Sequence, residues 1–347
     1  MLAAQIDTLV ADAIARRVFP GAVVLVAHGN ALLHWAGYGT TVYEPEMALP
    51  VARDTIYDIA SLTKVFTATA ALRLFDAGQL DLHAPVAQYL PALRTPDVTI
   101  WHLLTHTSGL DIRLSALRHA GPEGIWSAVY NLVPAYVPGT VVAYTNVNSL
   151  LLGAVVAQRT GMPLDRAFNE LLLHPLGLRD TLFLPEPRLY ARIAPSEYDH
   201  EWRGSLVHGT VHDESAHALG GVAGHAGLFS TASDLLQFCQ MWLQAAAAAP
   251  GAALLQPTTA HRALTNCTAH LPVACGLGWM LDRPNFMGSV PPGTAGHTGF
   301  TGPAFVLVPS EQLIVVVLNN RVYPQRAQPA HHAVIAGVVA AARQAVA

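Results

Sequence analysis

The feature that most restricts what this 347-residue chain can fold into is a pair of hairpin signals at its opposite ends. Near the start, GAVVLVAHGNALLHWAGYG (residues 21–39) is two apolar runs around His28-Gly29-Asn30. Near the end, PAFVLVPSEQLIVVVLNN (303–320) is two β-branched runs around Pro309-Ser310-Glu311-Gln312. Such hairpins can share one antiparallel sheet if the chain ends meet, with terminal helices over one face and a helical middle beside it. Periodicity alone also allows an α+β domain whose two halves stay unpaired.

Helical patterns fill the rest. MLAAQIDTLVADAIARRVFPG has apolar positions at helical spacing and no basic region ahead of an apolar core, so it reads as an amphipathic first helix. In STASDLLQFCQMWLQ (230–244), Leu235, Phe238, Cys239, Trp242 and Leu243 form one stripe, with Thr231 as N-cap. AAAAAPGAA (245–253) reads as a surface linker, and a last helix runs from about Gln328 to Ala342. Apolar residues make up 52% of the chain and charged ones 12%, which excludes disorder and predicts a large core. The length suits one domain of two packed parts: a sheet part of about 1–60 and 270–347, and a helical part of about 80–230.

A formal charge of −4 gives no basic footprint for nucleic acid or an anionic membrane, and no stretch is apolar enough to span a bilayer. The chain reads as cytoplasmic as written; one trimmed of an export signal, and so periplasmic or secreted, would look the same. The oligomeric state is left open. Cys239, Cys267 and Cys275 form no CxxC pair, and none is placed as a nucleophile or metal ligand.

One helix is unusual. DIASLTKVFTATAAL (58–72) is apolar nearly all round, yet carries Ser61 at its start and Lys64 one turn later. Residues three apart share a helix face, so the two side chains can touch. A serine hydroxyl becomes a nucleophile when a neighbour takes its proton, and a lysine held among apolar groups can assist. The alternative is a capping serine and a lysine reaching solvent. Two more segments bear on this choice: Tyr144-Thr145-Asn146 lies in a turn before an apolar helix, and His297-Thr298-Gly299 just ahead of a strand.

In this order, the three motifs resemble the serine β-lactamase and penicillin-binding-protein superfamily. The branch is that of class C β-lactamases, D-alanyl-D-alanine carboxypeptidases and family VIII esterases. The resemblance extends through YDIASLTKVFTA, LLTHTSGL, GTVVAYTN, GGVAGHAGLFSTASDLLQF and GHTGFTG. It implies an α+β, β-lactamase/transpeptidase-like fold, an antiparallel sheet flanked by helices beside a mostly helical subdomain, with the site between them. It also implies a serine hydrolase without metal or organic cofactor, acting on a small-molecule or peptidoglycan-fragment substrate. Ser61 would be acylated, Lys64 would help activate it, and Tyr144, as phenolate or through a hydrogen bond to Lys64, would act as general base and then return the proton to the leaving group. Asn146 would orient Lys64 and the acyl side of the substrate. Thr298 and Gly299 would line the substrate strand, and the N–H groups of Ser61 and Phe300 would form the oxyanion hole.

The family lysine that attracts a substrate carboxylate is His297 here, which favours an esterase or cell-wall peptide or amide hydrolase over an efficient β-lactamase. A penicillin-binding or sensor protein that acylates without turnover would share the same residues. An α/β-hydrolase is disfavoured because no G-x-S-x-G occurs. VHGTVHDESAHALGGVAGHAGLFS (207–230) fails the zincin spacing, since His212 and His217 are five apart, about 140° around a helix. Its glycines predict a tight loop close to other backbone, with His212, Asp213 and His225 as minor candidates beside the substrate. His106, in the turn of LLTHTSGL, reads as structural.

Overall fold

The computed structural model describes residues 1–249, 254–326 and 331–347. Its strands are β1 (Gly21–His28), β2 (Ala31–Gly39), β3 (Tyr57–Asp58), β4 (Tyr198–Asp199), β5 (Ser205–Leu206), β6 (Phe229–Ser230), β7 (Met280–Leu281), β8 (Ala295–Thr298), β9 (Ala304–Val308) and β10 (Leu313–Asn319). Six of them form one antiparallel sheet in the order β2-β1-β10-β9-β8-β7. Both hairpins form where their turn residues stand. Gly29, with φ of +56°, and Asn30 close the first, and Pro309–Glu311 followed by Gln312 closes the second.

The chain ends do meet, because β1 runs antiparallel to β10 from Ala22↔Asn319 to His28↔Leu313. Both strands are apolar without interruption because both sheet faces are covered. Val24, Val26, Val315 and Val317 pack in one cluster with Ile6 and Val10 of helix Leu2–Ala15 and Ile335 and Val338 of helix His331–Val346. Val23, Leu25, Ile314 and Val316 join the other cluster, with Phe66, Phe238 and Trp242. Each such side chain withdrawn from water contributes about 1.5–3 kcal/mol before entropy is counted, so two-sided burial strongly fixes the strand register.

Beyond the second face lies the helical part, in which helix Thr63–Asp76 packs against helix Asn146–Thr160. Helix Ala232–Ala246 packs on β1, β9 and β10, and Thr231 caps it by accepting from the Asp234 N–H. Two sequence readings are corrected at their edges. That helix continues to Ala246, so the alanine run begins as helix rather than linker, because alanine is a strong helix former; residues 250–253 lie outside the described residues. The last helix is observed from His331 to Val346, past the expected Ala342, and Gln328 lies outside the described residues. Among the described residues no helix is long and apolar enough to cross a membrane.

Candidate active site

Ser61 lies in a single 3-10 turn, Ala60–Leu62, that leads directly into helix Thr63–Asp76. Ala60 takes a left-handed φ of +45°, an uncommon backbone state for alanine that bends the chain just before the serine. Lys64 does not reach solvent. It is 2% exposed, and its Nζ donates to Ser61 Oγ at 2.7 Å and to the carbonyl of His225 at 3.0 Å. The resemblance gave the orienting of Lys64 to Asn146. Here the bonds that hold it run to Ser61 and to the His225 backbone, while Asn146 faces the same cavity as Ser61.

Asn146 is the first residue of helix Asn146–Thr160 and does not cap it. The cap is Thr145, whose hydroxyl accepts from the Val147 N–H, and this leaves the Asn146 side chain outside the capping role. The turn ahead of that cap presents Tyr144, which is 46% exposed. Lys64 Nζ sits 5.1 Å from the centroid of its ring, within cation–π range.

Between the sheet and the helical part is a cavity of about 480 Å³, lined by Ser61, Tyr144, Asn146, Thr298, Gly299 and Phe300 among others. The wall carrying Thr298 and Gly299 comes against the nucleophile turn because Gly299 has no side chain: a Cβ there would lie 2.6 Å from the Ile59 carbonyl. His297 stands behind that wall, 1% exposed, with its ring 5.8 Å from that of Tyr144. Its Nδ1 donates to the Thr298 carbonyl at 2.9 Å.

The glycine-rich segment is a tight loop laid along the nucleophile helix. Thr67 Oγ1 donates to the Gly224 carbonyl at 2.6 Å, and a Cβ on Gly224 would meet the Ser149 carbonyl at 2.1 Å. The His225 ring is fully buried, with Nε2 at 3.1 Å from Asp213 Oδ1 and 3.0 Å from Ser215 Oγ. The side chain is therefore anchored away from substrate, and the contribution of His225 to the site is its carbonyl. Asp213 caps the short helix Glu214–Ala218; burial raises its carboxyl, but the His225 partner and hydrogen bonds outweigh that and hold it well below the usual range. His212 lines the cavity and stacks on Phe300, 5.6 Å between centroids, with Nε2 at 3.2 Å from Glu197.

His106 proves closer to the chemistry than its turn signal implied. Its ring lies 4.9 Å from that of Tyr144, and its Nδ1 is 3.0 Å from Asn148 Nδ2. Asn148 Oδ1 accepts from Ser108 Oγ, so the amide NH2 faces the imidazole and Nδ1 is assigned as an unprotonated acceptor. No local pattern marks this contact, since His106 and Asn148 are 42 residues apart.

Comparison with known proteins follows the same outline. The beta-lactamase family model matches residues 6–340. This chain belongs to the beta-lactamase family. A putative D-alanyl-D-alanine carboxypeptidase of Escherichia coli O157:H7 is 30% identical, covering 90% of this chain and 80% of its own. Its counterpart in Salmonella enteritidis PT4 is 30% identical over 80% of this chain and 72% of its own. Among solved structures, EstCE1, a hydrolase with promiscuous acyltransferase activity, superposes with a TM-score of 0.78 at 24% identity, covering 97% of this chain and 98% of its own. A class C beta-lactamase from Rhodobacter sphaeroides gives 0.74 at 23% identity, covering 99% of each chain. These two likenesses show the β-lactamase/transpeptidase fold.

In this beta-lactamase-family site the two histidines behind Tyr144 have a measurable consequence. Burial, reinforced by the charge of Lys64, pushes His106 and His297 each down to about 3. An unfolded imidazole binds a proton below its ordinary value near 6.5, whereas these stay neutral until about 3, so stability falls as pH drops through that window. Between pH 7 and 5 the pair accounts for a loss of roughly 4 kcal/mol, about 2 for each. Urea unfolding at both pH values should show His297→Gln with a pH dependence smaller by about one histidine's share. An unchanged dependence would refute the assignment.

Proposed function

We propose that this beta-lactamase-family chain is a serine hydrolase that transfers an acyl group from an ester or amide to Ser61 and then to water. The observation that carries the reading is the buried Lys64 Nζ donating to Ser61 Oγ at 2.7 Å at the edge of an open cavity. Oγ would attack the substrate carbonyl as its proton passes to the Lys64–Tyr144 pair in the form that has one basic site open, either a Tyr144 phenolate beside an ammonium or a Lys64 amine beside a phenol. That pair would return the proton to the leaving group as the tetrahedral adduct collapses. The N–H groups of Ser61 and Phe300 would stabilise the oxyanion, and water would hydrolyse the acyl-enzyme.

The names of the carboxypeptidase relatives favour small peptides or amides as substrates, alongside simple esters. The neutral His297 speaks against efficient β-lactam hydrolysis, because no ammonium stands at that position to attract the β-lactam carboxylate. His297→Lys is expected to raise kcat/KM on carboxylate-bearing penicillins. An unchanged value would remove the histidine as the cause of selectivity.

The test of the main reading is intact-protein mass spectrometry with peptide mapping after exposure to a fluorophosphonate, p-nitrophenyl esters and penicillins. An adduct on Ser61 with continuous nitrophenol release supports the hydrolase. One equivalent released and then a persistent acyl mass would indicate a receptor instead, and a folded protein unlabelled at Ser61 would overturn the reading.

A further inference from the structure

The two backbone N–H groups assigned to the oxyanion, those of Ser61 and Phe300, come from turns 239 positions apart in sequence (300 − 61), and something must set the gap between them. One buried residue touches both turns, one through its side chain and the other through its backbone carbonyl. Asp58, 3% exposed, lies in β3, where it pairs with Phe229 of β6. Its Oδ1 accepts from the N–H of Ala60 at 2.8 Å, the residue just before Ser61. Its own carbonyl accepts from Thr301 Oγ1 at 2.7 Å, the residue just after Phe300. The remaining Oδ2 accepts from the N–H of His212 at 2.6 Å, and His212 is the residue whose ring stacks on Phe300.

These three bonds bear on the same gap from three sides. The Ala60 bond braces the left-handed residue that turns Ser61 toward the cavity. The Thr301 bond draws the Phe300 turn onto β3, a closeness that the missing Cβ of Gly299 permits. The His212 bond fixes the backbone from which the stacking ring projects. Asp58 holds Ala60 and His212, which line the cavity, but does not line it itself and makes no bond to Ser61 Oγ, so its effect on substrate is indirect.

We infer that Asp58 is a positioning residue: it sets the separation of the Ser61 and Phe300 N–H groups so that both reach the carbonyl oxygen as it becomes anionic. The inference rests on the acyl-enzyme reading above. An oxyanion donor displaced by a fraction of an ångström loses stabilisation in the transition state while ground-state binding is little changed, so the signature is a fall in kcat at nearly constant KM.

The experiment pairs Asp58→Asn with Thr301→Val and Thr301→Ser, assayed on a p-nitrophenyl ester, with a boronic acid as transition-state mimic and thermal unfolding as the check on folding. Asn keeps the shape of Asp58 but leaves one of the two backbone N–H groups facing an amide NH2. Asp58→Asn is expected to lower kcat about 30-fold or more with KM within about threefold, and to weaken boronate binding by about the same factor as kcat/KM. Thr301→Val should lower kcat about tenfold, and Thr301→Ser, which restores the hydroxyl, should return it to within about twofold of the unmodified enzyme. The Thr301 pair decides the matter if Asp58→Asn fails to fold. Values of kcat within about threefold in both Asp58→Asn and Thr301→Val, or a Ser variant no better than Val, overturn the inference. Ser61→Ala, run alongside, separates the two claims. Turnover in that variant defeats the acyl-enzyme reading itself, whereas a silent Ser61→Ala beside a normal Asp58→Asn defeats only the role given to Asp58.

Discussion

Ser61→Ala is expected to abolish hydrolysis of p-nitrophenyl esters, with kcat falling by a factor of at least about 10⁴, and to leave the fold unchanged. Both halves of that expectation follow from where the serine sits. Its hydroxyl makes no capping bond at the start of its turn, and its hydrogen bond is the one received from Lys64. Removing it therefore strands no backbone group. The nitrogen left behind keeps its bond to the His225 carbonyl, so the buried lysine is not abandoned. Thermal unfolding should match the unmodified protein within a few degrees, and fluorophosphonate labelling should vanish. Residual turnover above about one part in a thousand in a folded, unlabelled sample would assign the nucleophile elsewhere.

The second large effect separates the two proton-handling groups. Lys64→Ala and Tyr144→Phe should each lower kcat by about 10² or more, as expected when general acid–base assistance is lost. Their effects on stability should differ. Lys64 is buried and holds the His225 carbonyl, so its truncation leaves a buried acceptor without a donor and opens a cavity at the centre of the fold. The unpaired acceptor alone costs about 1–3 kcal/mol. Tyr144 is half exposed, and its recorded contacts are made by its ring, to Lys64, His106 and His297, all of which phenylalanine preserves. Tyr144→Phe should thus lose activity at constant stability. Measured together, kinetics and urea unfolding test both residues: near-normal kcat in either variant would remove it from the proposed mechanism.

How much of this was legible beforehand depends on the range of the interaction concerned. The turn residues Gly29-Asn30 and Pro309–Gln312 marked both hairpins because turn geometry is decided within a few residues. Thr231 was found as a cap for the same reason. The cap of the helix that starts at Asn146 is Thr145, which carries a suitable oxygen and takes the extended backbone that the cap requires. His106 looked like turn chemistry, which it is, with φ of +55°, but its ring also buttresses Tyr144, and no local pattern reports what a ring packs against.

By itself the sequence determined whatever a helix or strand period dictates. Three residues along a helix bring a serine and a lysine to one face, so the Ser61–Lys64 contact was implicit in S-x-x-K, and apolar runs around turn residues implied paired strands. Tertiary structure decided the rest. It chose the His225 carbonyl, 161 residues away, as the second partner of Lys64, and it brought Thr301 onto Asp58 across 243. It also set His297 deep enough to be neutral. The physical reason is that hydrogen-bond ladders repeat over a few residues and leave a periodic trace, whereas contacts across such separations are fixed by the packing of the whole core, to which no short stretch of sequence has access.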